Sequence, residues 1–344
     1  MTVVPPYLDR IPLVASLTRR ELRAYERRHG RPVDFSKGWW HPPVTPEDVL
    51  MSEATQITSR LQLTPFVSIT DHDNTDAVLM LEAANTRATV PLSFEWTVPY
   101  GHGFFHLGVH NLPQLSHVEV FDALEDYTRR PSPAALPVLL DRLNADPHTL
   151  VVFNHPLWDL AGIGHAVHAD LVQSFLRDHA HQLHAIELNG YRSWRENRHA
   201  MKLAEAWSLP FISGGDRHGC EPNSLLNLTH ATSFPAFVAE VRGQRRSTVV
   251  VMPQYREALV ARKLGAASDA VRAYPARPPG QRHWTDRVAY ERDGVIRPLS
   301  DHWPDGGPLW VRSAIALFDM ATRAPFLPAS RLCVWLTGAS SSDR

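Results

Sequence analysis

Six short segments of the sequence share one feature: each is an apolar run that ends in Asp, His or Glu. The segments are PFVSITDHDN (65–74), VPLSFEW (90–96), GFFHLGVH (103–110), TLVVFNHP (149–156), HAIELNG (184–190) and PFISGGDRHG (210–219). Imidazole and carboxylate groups together, without cysteine, are suitable ligands for Zn, Mn or Fe. Metal ions bound in this way polarise a substrate oxygen and lower the pKa of water. These residue types therefore predict a metal-dependent hydrolase.

Five residues in these segments are candidate metal ligands. Glu95 and His106 interrupt apolar, strand-like runs, where an unpaired polar group is costly to bury and metal ligation removes that cost. His72 lies next to an aspartate and His218 lies two residues after one, each at the end of such a run. His155 directly follows the run LVVFN, which also favours a ligand over a turn residue.

Neighbouring residues add a further ligand and candidates for substrate binding. Asp216 is the further predicted ligand, and Arg217 follows it between two ligands. Arg217 is the candidate for binding phosphate, because a planar guanidinium forms paired hydrogen bonds with it. Asp71 either hydrogen-bonds a ligand histidine or caps the following turn. Arg192 and Arg195 either reach a phosphate or lie on a solvated helix start.

An alternation of strands and helices must position these side chains. The apolar runs are the predicted strands, with one more over 247–252. The predicted helices cover 46–60, 76–87, 138–145, 169–180, 194–207 and 313–323. Ser193 and Glu196 form a capping box for one of them. This pattern predicts a parallel α/β sheet closed by crossover helices, in which the C-terminal strand ends meet at one rim.

The chain divides into three predicted parts. Residues 1–32 form an N-terminal arm, 33–265 a metal-binding barrel, and 266–344 a C-terminal extension that packs on the barrel. Within the extension, residues 270–306 are rich in proline, arginine and aspartate with little periodicity. This composition predicts a long excursion or a small cap.

Composition narrows the class of protein. The 344 residues carry a net charge of −1, which argues against a nucleic-acid partner. Two cysteines exclude a disulfide framework and favour a cytoplasmic location. We expect no signal peptide, and no apolar run approaches the roughly twenty residues that span a bilayer.

The order of these strand ends resembles the PHP superfamily, the polymerase and histidinol phosphatase domain. The resemblance runs from about residue 33 to about residue 218, and SITDHDN and GGDRHG are its most specific pieces. It implies a distorted (β/α)7 TIM-like barrel with metals on its C-terminal rim, where metal-bound hydroxide attacks a phosphate ester. Glu95 matches the bridging glutamate and holds one metal with His106 and His155. Asp216 matches a ligand of a third position beside Glu95.

The chain departs from this pattern at its first motif. The family's H-x-H positions fall on Asp34 and Ser36, and a later ligand falls on His41. The third position should therefore be weak or empty. We expect two divalent metal ions, or three if that position fills, with His41 joining His72 and His218 at the second metal.

The sequence thus predicts a phosphoesterase that acts on a small phosphorylated metabolite or nucleotide. Two alternatives stay open. The same metals could cleave an amide or another ester. The missing H-x-H also allows a degenerate, non-catalytic metal-binding module.

Overall fold

The structure is a computed structural model, which describes residues 20, 23, 26, 27, 30, 38–41, 43–84, 90–274, 281–292 and 295–322. The chain forms two compact units. The larger contains the described residues of Pro46–Arg217 and Glu221–Lys263. The smaller contains the described residues up to Thr45, the short segment His218–Cys220 and the described residues from Leu264. Asp34 and Ser36 lie outside the described residues.

Helices occupy most of the positions that the sequence predicts. In chain order they are α1 (Pro46–Leu61), α2 (Asp76–Ala83), α3 (His117–Arg129), α4 (Ala135–Asn144), α5 (His165–His179), α6 (Trp194–Ala206), α7 (Phe234–Val238), α8 (Leu259–Val271), α9 (Trp284–Arg287) and α10 (Leu309–Thr322). The N-cap half of the capping box predicted for α6 is confirmed, because the Ser193 hydroxyl accepts a hydrogen bond from the Glu196 backbone N–H at 3.2 Å. Among the described residues, no helix combines the length and the apolar character needed to cross a membrane.

The strands of the described residues form three separate sheets. In chain order they are β1 (Gly38–Trp40), β2 (Phe94–Tyr100), β3 (Gly103–His110), β4 (Leu150–Asn154), β5 (Ala185–Asn189), β6 (Phe211–Gly214), β7 (Leu225–Leu228), β8 (Thr248–Val251), β9 (Val288–Arg292) and β10 (Val295–Pro298). The central sheet has the order β2-β3-β4-β5-β6. Strands β7 and β8 form an antiparallel pair, and in the smaller unit β9 pairs with both β1 and β10.

The core of the larger unit lies against the central sheet. Strands β4 and β5 are buried along their whole length, as expected for strands with both faces covered. Phe94 and Trp96 from β2, Leu107 from β3 and Phe153 from β4 are almost fully buried, together with Phe175 of α5. This packing fixes the strands whose polar residues form the candidate site.

The α/β class is confirmed, but the closed parallel barrel is not. No sheet in the described part of the chain closes on itself, and the central sheet is mixed. Strand β3 runs antiparallel to β2 and β4, whereas β4, β5 and β6 are parallel. The reason is local: only Gly101 and His102 connect β2 to β3, whereas a parallel crossover needs roughly a dozen residues.

The predicted strand at PFVSIT is wrong, since residues 62–70 have no regular secondary structure. The chain joins the sheet only after this run. The Glu95 N–H donates to the Asp71 carbonyl at 2.9 Å, and the Asp73 N–H donates to the Glu95 carbonyl at 2.8 Å. These bonds pair the 71–73 segment with β2 and bring His72 beside Glu95.

Candidate metal centre

Strand register brings the candidate ligands together at one end of the central sheet. His106 on β3 pairs with Thr97 on β2 and with Asn154 on β4. Because side chains alternate along a strand, Glu95 shares a face with Thr97 and lies diagonal to His106. His155 follows β4 directly. Three histidines from different parts of the chain therefore reach the Glu95 carboxylate.

The Glu95 carboxylate lies between three imidazole rings. Its Oε1 is 3.1 Å from His155 Nε2 and 3.4 Å from His106 Nδ1, and these two nitrogens are 3.4 Å apart. Its Oε2 is 3.3 Å from His72 Nδ1. The Asn154 side-chain amide donates to Oε1 at 2.8 Å. The two carboxylate oxygens thus face different donor sets.

These distances fit a metal coordination shell. Metal–ligand bonds of about 2.0–2.2 Å place the donors of a tetrahedral site roughly 3.3–3.6 Å apart. Glu95 Oε1, His106 Nδ1 and His155 Nε2 form a nearly equilateral triangle with sides of 3.1–3.4 Å. Glu95, His72 and His106 also offer one ligand atom each within 4.8 Å of one another. The donor set could therefore hold a cation on Oε1 and a second on Oε2, with Glu95 as the bridge.

The charges of the site already suit a cation. Burial would raise the pKa of Glu95, but hydrogen bonds with His106 and His155 and the charge of His72 hold it well below its usual range. Burial likewise opposes a charge on His155, yet the hydrogen bond to Glu95 and the charges of Glu187 and Asp216 raise its pKa to about 9. In the metal-free protein an imidazolium thus provides the positive charge that a metal would supply.

The site opens towards solvent on one side. The His72 side chain is 46% exposed, whereas those of His106 and His155 are almost completely buried. A substrate would therefore approach from the His72 side. The buried histidines are screened from water on the side of the sheet.

Backbone strain marks three positions near the candidate ligands. Asp73, His155 and Asp216 all have positive φ angles, of 46°, 27° and 45°. Few non-glycine residues adopt this conformation, and such residues cluster at functional sites. Each lies at or next to a predicted ligand.

The two predicted catalytic residues, Asp71 and Arg217, form hydrogen bonds with other residues of the larger unit. The Asp71 carbonyl accepts a hydrogen bond from the Glu95 backbone, which places Asp71 next to His72 at the edge of the site. The Arg217 guanidinium donates to Glu53 Oε1 at 2.9 Å and to Ser52 Oγ at 3.1 Å, both on α1. The guanidinium predicted to bind phosphate is thus engaged by a carboxylate of its own chain.

The remaining predicted ligands have different surroundings. The Asp216 carboxylate accepts a hydrogen bond from Arg192 at 3.1 Å. His41 and His218 belong to the smaller unit, where His41 is exposed and its backbone N–H donates to the Arg287 carbonyl at 2.8 Å. His218 is half-buried. Their role as ligands stays a prediction.

Three residues that the sequence did not predict as ligands support the site. Asn154, the last residue of β4, hydrogen-bonds Glu95. The buried Glu187 carboxylate accepts the His155 backbone N–H at 2.7 Å. Burial, followed by the charges of Glu95 and Asp216, raises the pKa of Glu187 to about 7, although His155 opposes this shift. Trp158 packs edge-on against the His155 ring, with 5.4 Å between ring centroids. The signal for Glu187 was present: like Glu95, it is a charged residue inside an apolar strand.

Comparison with known proteins gives structural similarities at low identity. No protein-family model matches the chain, and no curated protein matches it. PsfC from Pseudomonas syringae aligns with a TM-score of 0.45 and 14% identity, covering 64% of this chain and 89% of its own. An amidohydrolase from Chromobacterium violaceum with bound sulfate and no metal aligns with a TM-score of 0.33 and 17% identity. The alignment covers 64% of this chain and 92% of the amidohydrolase. A protein from Bifidobacterium adolescentis, assigned as a metal-dependent phosphoesterase, aligns with a TM-score of 0.32 and 16% identity. The alignment covers 53% of this chain and 85% of that protein.

Proposed function

We propose that this protein is a metal-dependent phosphoesterase that hydrolyses a small phosphorylated metabolite or nucleotide. One observation carries the proposal: both oxygens of the buried Glu95 carboxylate face imidazole nitrogens at 3.1–3.4 Å. Histidine and carboxylate donors fit Zn, Mn or Fe and do not choose among them.

In this proposal two cations would share Glu95. His106 and His155 would hold the first together with Glu95. His72 would hold the second together with Glu95, and the sequence resemblance would add His41 and His218 to it. When bound, divalent metal ions would supply Lewis-acid chemistry at a substrate oxygen and lower the pKa of water. The PHP-type barrel, the three-part division of the chain and the cytoplasmic location belong to the same proposal.

The surrounding residues keep this centre in place. The Asn154 amide orients the carboxylate through Oε1, and Glu187 holds the backbone of His155. Hydrogen bonds of this kind fix the direction of a ligand and its basicity. Asp71 and Arg217 remain the candidate catalytic residues, the first next to His72 and the second next to Asp216.

The test combines metal analysis of the purified protein with a screen of phosphate monoesters and nucleotides. We expect about two equivalents of metal per chain and turnover that is lost in Glu95→Gln, which keeps the side-chain volume but removes the bridging charge. Glu205→Gln is the matched control, because Glu205 is exposed on α6. If the protein binds metal but turns over only amides or other esters, the result would favour an amide or ester hydrolase, the first alternative from the sequence. Less than one equivalent would contradict the proposal and favour the non-catalytic module.

A further inference from the structure

A buried ion pair involves one of the predicted metal ligands. Arg192 Nη2 donates to Asp216 Oδ2 at 3.1 Å. The two side chains are only 7% and 6% exposed. A buried pair of this kind is costly to break, since either partner left alone would be an uncompensated charge. Asp216 is the residue that the family resemblance would place at a third metal position beside Glu95.

The Arg192 guanidinium is held on several sides. Its Nη1 donates to the Tyr191 carbonyl at 3.1 Å, and its Cζ lies 3.6 Å from the centroid of the Trp158 ring. Its Nε is 3.5 Å from Glu196 Oε1, outside hydrogen-bond geometry, and has no hydrogen-bond partner among the described residues. Stacking on an aromatic face and a charged hydrogen bond together fix the plane of the group.

Carboxylates are concentrated at this point of the molecule. The charges of Glu187, Asp216 and Glu95 all act on the His155 imidazole. Asp216 and Glu95 also act on Glu187. A group of three carboxylates attracts divalent cations unless another positive charge is present. Arg192 provides that charge to Asp216.

We propose that Arg192 takes the place of a divalent cation at Asp216. Its guanidinium neutralises the carboxylate, so Asp216 binds no metal, and cations are confined to the imidazole side of Glu95. Arg192 is therefore a positioning residue that acts through Asp216 and limits the number of bound cations. This inference rests on the proposed metal centre but concerns only the Asp216 position.

The test is a titration of the metal-free full-length protein with Mn²⁺, followed by equilibrium dialysis and metal analysis. We compare the wild type with Arg192→Gln, Arg192→Lys and the double variant Arg192→Gln/Asp216→Asn. Arg192→Gln should bind about one more equivalent than the wild type, because the Asp216 carboxylate becomes available to a cation. The double variant should return to the wild-type number. Arg192→Lys should match the wild type because it keeps the charge.

The outcomes separate this inference from the proposed function. The number of cations on the wild type tests the Glu95 centre, whereas the difference between Arg192→Gln and the wild type tests Arg192. An unchanged number in Arg192→Gln would overturn the inference. If Arg192→Gln does not fold, the inference is tested by the number of cations that Asp216→Asn binds compared with the wild type. An unchanged number of cations supports the inference, and the loss of one equivalent overturns it because Asp216 would then be a ligand.

Discussion

At the scale of single residues, the partners of Glu95 offset the free energy that burying its carboxylate would otherwise cost. A carboxylate in an apolar strand needs partners, and this one has three imidazoles and one amide. The histidines are ordinary candidates for metal ligands. The side-chain NH2 group of Asn154 is different, because it can only donate a hydrogen bond and so fixes the direction in which Oε1 points.

Replacing Asn154 by alanine should weaken metal binding without removing a ligand. We expect the affinity for the first cation to fall about 10–100-fold, as is typical when a hydrogen bond to a ligand is lost. Isothermal titration with Mn²⁺ or Zn²⁺ measures the change. Asn227→Ala is the matched control, because Asn227 hydrogen-bonds Ser213 and not Glu95. Equal losses in the two variants would indicate a general effect on the fold.

At the scale of elements, the site depends on how closely strands β5 and β6 approach each other. Gly214 pairs with Asn189, and the Glu187 side chain occupies the space that a Cβ at Gly214 would need. That Cβ would lie 2.6 Å from Glu187 Cγ and would overlap the carboxylate. Since Glu187 holds the His155 backbone, this contact connects the spacing of the strands to the candidate metal centre.

Gly214→Ala should therefore destabilise the protein and weaken metal binding together. Overpacking of this kind costs about 1–3 kcal/mol, which chemical denaturation can measure. Gly243→Ala serves as the control, because nothing lies within 4 Å of the added Cβ. Its effect should stay within about 0.5 kcal/mol. If Gly214→Ala keeps the wild-type free energy of unfolding and metal affinity, the Glu187 side chain can move aside without displacing His155.

His184, just before β5, forms hydrogen bonds with the start of β4 and with the end of α4. Its Nδ1 accepts the Val151 N–H at 2.8 Å, so Nε2 carries the proton and donates to Asn144 Oδ1 at 2.8 Å. Burial, followed by the positive charges of Arg242 and Arg245, lowers the pKa of His184 to about 3. The ring is therefore neutral in the folded protein.

This neutral histidine predicts a loss of stability in acid. In the unfolded chain the ring takes up a proton below about pH 6.5. The contribution of His184 is thus complete above that pH and declines as the pH falls towards 3. By pH 5 the loss amounts to about 2 kcal/mol.

Denaturant unfolding at pH 7 and pH 5 tests this contribution. The stability of His184→Gln should fall less with acid than that of the wild type, so the difference between them should shrink by about 2 kcal/mol. His148→Gln, at an exposed position, should fall in parallel with the wild type. Parallel curves for the wild type and His184→Gln would contradict a neutral, half-buried His184 ring.

At the scale of the whole molecule, metal binding and folding are linked. The candidate ligands come from strands β2 and β3, from the residue after β4 and from the segment before β2, so their arrangement exists only in the folded chain. Any cation that binds the folded form alone stabilises it by mass action. The larger unit, which contains Glu95, His72, His106 and His155, is the part that should respond.

Removal of metal should therefore lower the thermal midpoint of the wild type. At a free concentration of 100 times Kd, one bound ion contributes about 2.7 kcal/mol to the free energy of unfolding. Calorimetry of the protein with chelator and with added Mn²⁺ measures the difference. Glu95→Gln should show a much smaller shift. An equal shift in this variant would place the stabilising ion elsewhere.

Much of the local structure could be predicted from the sequence, because it depends on neighbouring residues. The helix that begins at Pro46 and the cap at Ser193 follow from short-range patterns. The order of the central strands was less accessible. The short connection at Gly101 makes β2 and β3 antiparallel, and the run at 65–70 does not pair as a strand. The proximity of Glu95 to its histidines is seen, whereas their role as ligands stays a prediction.

The sequence by itself determined which polar groups need partners, since a carboxylate or imidazole in an apolar run must be compensated wherever the chain folds. Only the tertiary structure decided which partner each one has. Asp216 and Arg217 are adjacent, yet Arg217 bonds to Glu53 on α1 while Arg192 takes Asp216. The physical reason is the packing of distant elements around a strand end with positive φ, which no short-range pattern encodes.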